Sequence, residues 1–107
     1  MDSSEYLIEY RETAKSDIYE IYDYIAVKLK NPRAAERIQN EIFDAISYVK
    51  KDHDFYPVIG NGPYRKCPVE GYVAIHYVDH KQKIVYVEEI VNSLQNYMPR
   101  YCNEENL

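Results

Sequence analysis

The chain has no tryptophan, only three glycines and two cysteines, and nowhere an apolar run approaching the roughly 18–20 residues that a membrane span needs. Each shortage removes a class of protein. Cys67 and Cys102 stand alone, form no C-x-x-C and lack histidines at zinc-site spacing, so a disulfide scaffold or a metal centre is not expected and both thiols read as reduced. There is no glycine-rich phosphate loop, no nucleophile elbow and no pair of histidines at i and i+4, so the common cofactor and metalloenzyme signatures are missing and no cofactor is expected. The N-terminus, Met1-Asp2-Ser3-Ser4-Glu5, is acidic where a secretory signal is basic, which reads as a cytoplasmic protein with no membrane partner. Positive charge is also short: 13 Lys+Arg against 18 Asp+Glu leave a net −5, a poor start for broad capture of nucleic acid, whose affinity rests on phosphate neutralisation.

What is present is enough for one core. With 107 residues, 46% of them apolar, the chain fits one domain spanning 1–107, with a core over about residues 5–97 and a polar tail at 98–107. Its 13 tyrosines are the compositional oddity, each joining a large apolar ring to a polar tip that suits core edges and interfaces.

Tyr6, Ile8 and Tyr10 alternate with Leu7, Glu9 and Arg11, the period of a strand. From Ala14 the period becomes helical: Ala14, Ile18, Ile21, Tyr22, Ile25 and Leu29 form one stripe, with Thr13 as its N-cap. Asn31-Pro32 supplies an N-cap acceptor and a preset φ for a second helix, whose stripe is Ala35, Ile38, Ile42, Ala45, Ile46 and Val49. So short a link predicts an antiparallel helical hairpin. Lys28, Lys30, Lys50 and Lys51 suit the negative helix ends. Asp52 to Pro63, with two prolines and Gly60-Asn61-Gly62, reads as a loop, and Tyr64–Val69, Tyr72–Val78 and Ile84–Val91 read as a three-strand meander. Pro68 places the end of the second strand at an edge or bulge. The order is β-α-α-β-β-β, an α+β fold with a helical hairpin on one face of a mainly antiparallel four-stranded sheet, the other face being left open to partners and the tail from Asn92 partly unordered.

Few residues suggest chemistry. His53, His76 and His80 fall on separate elements, with His76 alternating onto the strand face of Tyr72 and Ala74. Arg65 and Lys66 follow the glycine-rich turn, where a cation can meet a phosphate, a carboxylate or simply water. Glu88-Glu89 interrupts an apolar strand, so one of them is expected to face inward or to pair with a cation such as Arg65.

Taken in order, Ala14-x-x-Asp17-Ile18-x-x-Ile21-x-x-Tyr24-Ile25, Pro32-x-Ala34-Ala35-x-x-Ile38, Tyr64-Arg65-Lys66, Gly71-Tyr72, Val78-Asp79 and the strand Ile84 to Val91 resemble the RelE/ParE superfamily of type II toxins over about residues 5 to 97. The resemblance implies a small bacterial protein that arrests growth, contributes to plasmid stabilisation and is neutralised by a cognate antitoxin, as a homodimer or as a heterotetramer with it. RelE-like members cleave mRNA in the ribosomal A site; ParE-like members poison DNA gyrase. The family's strand-two arginine falls on Arg65 and its strand-three aromatic on Tyr72, while a second strand-three aromatic is replaced by His76. After the last strand, where the family often carries His or Arg, stand Asn92, Leu94 and Gln95, none able to transfer a proton. The resemblance therefore implies a ParE-like, gyrase-directed toxin, with Arg65, Tyr72, Gln95, Tyr97 and Arg100 as target- or antitoxin-binding residues. Its rival is a ribosome-dependent endoribonuclease in which Arg65 stabilises the scissile phosphate and Lys66, His76 or Tyr97 assists proton transfer. A third reading is a degenerate member that only binds an antitoxin-like protein.

Overall fold

In the computed structural model, which describes residues 5–102, strand β1 (Leu7–Tyr10) leads into helix α1 (Glu12–Asp23), whose last turns widen to i→i+5 bonding over Tyr24–Lys28. Helix α2 (Pro32–Ser47) tightens into a 3₁₀ turn at Tyr48–Lys50, and strands β2 (Arg65–Val69), β3 (Tyr72–Asp79) and β4 (Ile84–Asn92) follow, with a last 3₁₀ turn at Met98–Arg100. The acidic stretch before Glu5 and the end of the tail lie outside the described residues. The sheet order is β1-β4-β3-β2, antiparallel except that β1 runs parallel to β4.

Helix α1 starts earlier than the sequence suggests. Arg11, not Thr13, is its N-cap, and no side chain caps it. The cause is tertiary: the Arg11 N–H is held by the Val87 carbonyl at 2.9 Å, so the chain stays in the sheet up to that residue and turns into the helix at once. At the other end Leu29 N–H reaches back to Tyr24 O and Asn31 N–H to Ile25 O, with Lys30 at φ 53°, the left-handed residue that closes a helix. Helix α2 then opens as expected, Asn31 Oδ1 accepting from Ala34 N–H at 3.1 Å with Pro32 in the first turn.

The turn Glu70-Gly71, φ 43° and 89°, joins β2 to β3 with the two left-handed residues that a tight hairpin demands. Across β3 and β4 the register slips by one: Ile75 faces Glu89 but His76 faces Val87, leaving Glu88 as the extra residue of a bulge. The glutamates therefore do not divide between faces, and neither pairs with Arg65. Glu88 meets Arg11 and Glu89 meets Arg100, while Arg65 pairs with Asp54. Beyond the end of β1, the Ile90 N–H of β4 is taken by Asp17 Oδ2 of α1 at 2.9 Å.

The main core lies between helices and sheet. Ala14, Ile18 and Ile25 of the first helical segment and Ala35, Ile38, Ile42 and Ile46 of α2 pack on Cys67, Val69, Ala74, Val87 and Ile90. Burying such side chains stabilises by about 1.5–3 kcal/mol each. The opposite face, expected open, carries a second cluster in which Ile59 of the loop and Tyr97 of the tail cover Val73, Ile75 and Val91. The tail through Cys102 is thus built into the fold, because β3 and β4 are apolar on both faces at this end and water must be excluded from both. The open part of that face lies nearer β1 and the β3–β4 turn.

Candidate functional site

Strands alternate their side chains, so Tyr77, two residues beyond Ile75, and Tyr86 directly opposite it lie on the outer face, away from the helices. Their rings stack at 5.2 Å and 27°. Tyr64, just before β2, continues the row edge to face with Tyr77 at 5.3 Å, and Tyr101 of the tail ends it against Tyr64 at 4.8 Å. Four tyrosines thus form one continuous band. At one end Arg11 lies over the Tyr86 ring, 4.2 Å from its centroid, donates to the Tyr77 hydroxyl at 3.1 Å and reaches Glu88 Oε2 at 3.4 Å. These partners, the Tyr77 hydroxyl first, hold the guanidinium charged. At the other end Arg100 contacts Glu89 Oε2 at 3.1 Å and lies 5.8 Å from the Tyr101 ring centroid, while the Tyr101 hydroxyl donates to the same carboxylate. Burial, then that bond, pushes the Tyr101 hydroxyl well above the usual phenol range.

Sequence reasoning did not single out this band. Its signal was the cross-strand pair Tyr77 and Tyr86, each three residues from the β3–β4 turn; the contributions of Tyr64, Tyr101 and Arg11 need the sheet order and the path of the tail.

The residues that the sequence does single out are divided among different places. Arg65 and His76 are cross-strand partners, but both turn toward the helix side. Arg65 donates to the Tyr56 carbonyl at 2.7 Å and pairs with Asp54 at 3.0 Å, clamping the loop that precedes β2. His76 is fully buried beside the Tyr56 ring, its Nδ1 3.5 Å from the Ala74 carbonyl and its Nε2 without a partner. Burial drives its pKa down to about 4, so the imidazole is neutral near pH 7 and has no exposed proton to exchange. Lys66, opposite Ile75, belongs to the other face. Tyr72 packs on the helix-side core and lines an acidic cleft of about 360 Å³ with Asp17, Glu20, Tyr24 and Asn92. Gln95 is exposed in the turn after β4, Tyr97 is buried in the outer cluster, and Arg100 is at the end of the tyrosine band.

A second surface lies on the helical side. Tyr10, Ile18, Tyr19, Tyr22 and Phe43 line a mainly apolar groove of about 560 Å³, edged by Lys15, Glu36 and Gln39. Tyr10 and Phe43 meet edge to face at 5.6 Å on its floor, whereas Tyr19 is 70% exposed, far more than a core tyrosine. Among the described residues no three His, Cys, Asp or Glu side chains come together as a metal site would require, and no helix is long and apolar enough to cross a membrane.

The comparisons with known proteins bear on the fold and the family. A chain of the chromosomal ParDE TA system from Pseudomonas aeruginosa superposes with a TM-score of 0.70 at 19% identity, over 84% of this chain and 98% of that one. A double mutant of Escherichia coli RelE in the free state gives 0.68 at 10% identity, over 96% and 99%. The archaeal RelE–RelB complex from Pyrococcus horikoshii gives 0.54 at 15%, over 84% and 97%. At such identities these likenesses show the fold alone. No curated protein sequence matches the chain significantly. The family model described as the ParE toxin of type II toxin–antitoxin system parDE matches residues 8–97, which takes in both helices, all four strands and the turn to Tyr97, and so the chain belongs to the ParE toxin family.

Proposed function

We propose that this protein is a growth-inhibiting toxin of the ParE branch, held inactive by a cognate antitoxin and directed at DNA gyrase rather than at ribosome-bound mRNA. The observation that supports this most is the dispersal of the candidate ribonuclease groups. A phosphoryl-transfer site needs a cation on the scissile phosphate and an acid or base within hydrogen-bond reach of the same atoms. Here Arg65 is committed to Asp54 and the Tyr56 carbonyl, His76 is sealed beneath it, and Lys66 and Tyr97 belong to the opposite face. The net charge of −5 also opposes docking on an RNA-rich surface. For the antitoxin, the apolar groove between the helices is the natural seat of a partner's apolar side chains, with its exposed Tyr19 and Phe43.

Induction in a bacterium is expected to stop growth, and purified protein to inhibit gyrase supercoiling while leaving ribosome-bound message uncut. Cuts in the A site that disappear in Arg65→Ala would overturn the gyrase assignment. Uninterrupted growth with abundant folded protein would favour a degenerate member that only binds an antitoxin-like protein.

A further inference from the structure

We infer that the tyrosine band on the outer face is a docking surface for arginine side chains carried on an extended segment of a protein partner. The face already holds two guanidinium groups of its own chain, seated alike. Arg11 rests on the Tyr86 ring with Glu88 as counter-ion, and Arg100 lies against the Tyr101 ring with Glu89 as counter-ion. A tyrosine face beside a carboxylate is a receptor for a planar cation, through its quadrupole and its charge. The bulge at Glu88 makes both seats possible, because it lets consecutive glutamates contact cations of the same face.

The two seats differ in permanence. Arg11 is fixed by its own backbone bond to Val87 and by three side-chain contacts. Arg100 is half exposed while its partner Glu89 is only 13% exposed, so the carboxylate needs a cation but this guanidinium is easily replaced by another. A third carboxylate, Glu9, stands opposite Tyr86 in the β1–β4 register, is exposed, and makes no ion pair with any described residue. Tyr86 is buried under Arg11, and the half-buried rings of Tyr77, Tyr64 and Tyr101 that continue the row span the length that about three extended residues cover. The carboxylates of Glu88 and Glu89 already offset the charges of Arg11 and Arg100, and Glu9 adds a further negative charge, so the face has little surplus cation to offer a nucleic-acid backbone. This goes beyond the toxin reading and does not depend on which target is poisoned.

The test uses the intact chain, a fluorescein-labelled Arg-Gly-Arg-Gly-Arg peptide, its citrulline counterpart and a single-stranded RNA oligomer, followed by fluorescence anisotropy at low ionic strength. The arginine peptide is expected to bind at least tenfold more tightly than the citrulline one. Glu89→Gln, with its fold checked by circular dichroism, is expected to lose at least tenfold, and Glu9→Gln a few-fold. Arg100→Ala should bind several-fold more tightly, since it removes the internal competitor; a merely structural role for Arg100 predicts no gain. Equal binding of the citrulline peptide, weaker binding by Arg100→Ala, or RNA binding that rises in Glu89→Gln with no peptide binding would each overturn the inference. Should Glu89→Gln fail to fold, the opposite responses of Glu9→Gln and Arg100→Ala decide it. Failure here leaves growth arrest and gyrase inhibition untouched, so the two readings fail separately.

Discussion

At the scale of single residues, two polar groups turned into the fold, the half-buried Asp17 and the fully buried His76, determine more than any exposed one. Asp17 accepts the Ile90 N–H that β4 presents beyond the end of β1, and burial raises its pKa above the usual carboxylate range. What the strand requires there is an acceptor, not a charge. Asp17→Ala is therefore expected to cost about 1–3 kcal/mol in urea unfolding, while Asp17→Asn, which keeps an oxygen acceptor, should stay within about 1 kcal/mol of the parent. His76 imposes a pH dependence. Its folded pKa of about 4 lies below the ordinary 6.5, so between those values the unfolded chain binds a proton that the folded chain refuses. The part of stability due to this imidazole is complete above about pH 6.5 and falls as pH drops toward 4, by up to about 3 kcal/mol. Urea midpoints measured from pH 7 to pH 4 should fall less steeply in His76→Leu than in the parent; parallel curves would show that the imidazole is not held neutral.

At the scale of elements, the segment from Asp52 to Pro63 is held from two sides, by β2 that follows it and by the distant tail. Arg65 grips it from β2, the Ile59 N–H bonds to Tyr64 O at 2.8 Å, and Cys102 comes so near Gly60 that a Cβ there would lie 2.9 Å from Sγ. Gly60 also has φ 60°, so Gly60→Ala meets both backbone strain and a clash, whereas Gly71, at φ 89° with nothing within 4 Å, meets strain alone. Denaturant curves are expected to rank Gly60→Ala as the more destabilising, by about 1 kcal/mol or more. Arg65→Ala should raise amide hydrogen exchange around Phe55–Val58 while leaving β3 and β4 protected, the pattern of a local opening. Exchange spread evenly over the whole chain would instead mean that Arg65 supports the global fold.

At the scale of the whole molecule, the sheet is closed on one face by helices and at one end of the other by the loop and tail. Truncation after Asn96 removes Tyr97 and Met98 from above Val73, Ile75 and Val91. The shortened chain is expected to bind a hydrophobic dye and to melt at lower urea than the parent; unchanged dye binding would show that the tail covers little. The same packing bears on where a target or antitoxin can dock. The helical groove and the tyrosine band lie on opposite sides of the sheet, so partners at the two places need not compete directly.

The sequence by itself determined the helices, the hairpin and the meander, because apolar periodicity and the Asn31-Pro32 and Glu70-Gly71 signals act over a few residues. It also placed Arg65 and His76 on successive strands, but not their pairing or which face they share, since one bulge or one parallel pairing changes the face and the register. Only the tertiary structure decided that Arg65 clamps a loop, that His76 is sealed, that the tail belongs to the core, and that Arg11, Tyr64, Tyr77, Tyr86 and Tyr101 meet. Those contacts join the residues flanking β1 and β2 with β3, β4 and the tail across most of the chain, and such long-range closure depends on how the sheet is ordered rather than on any local pattern.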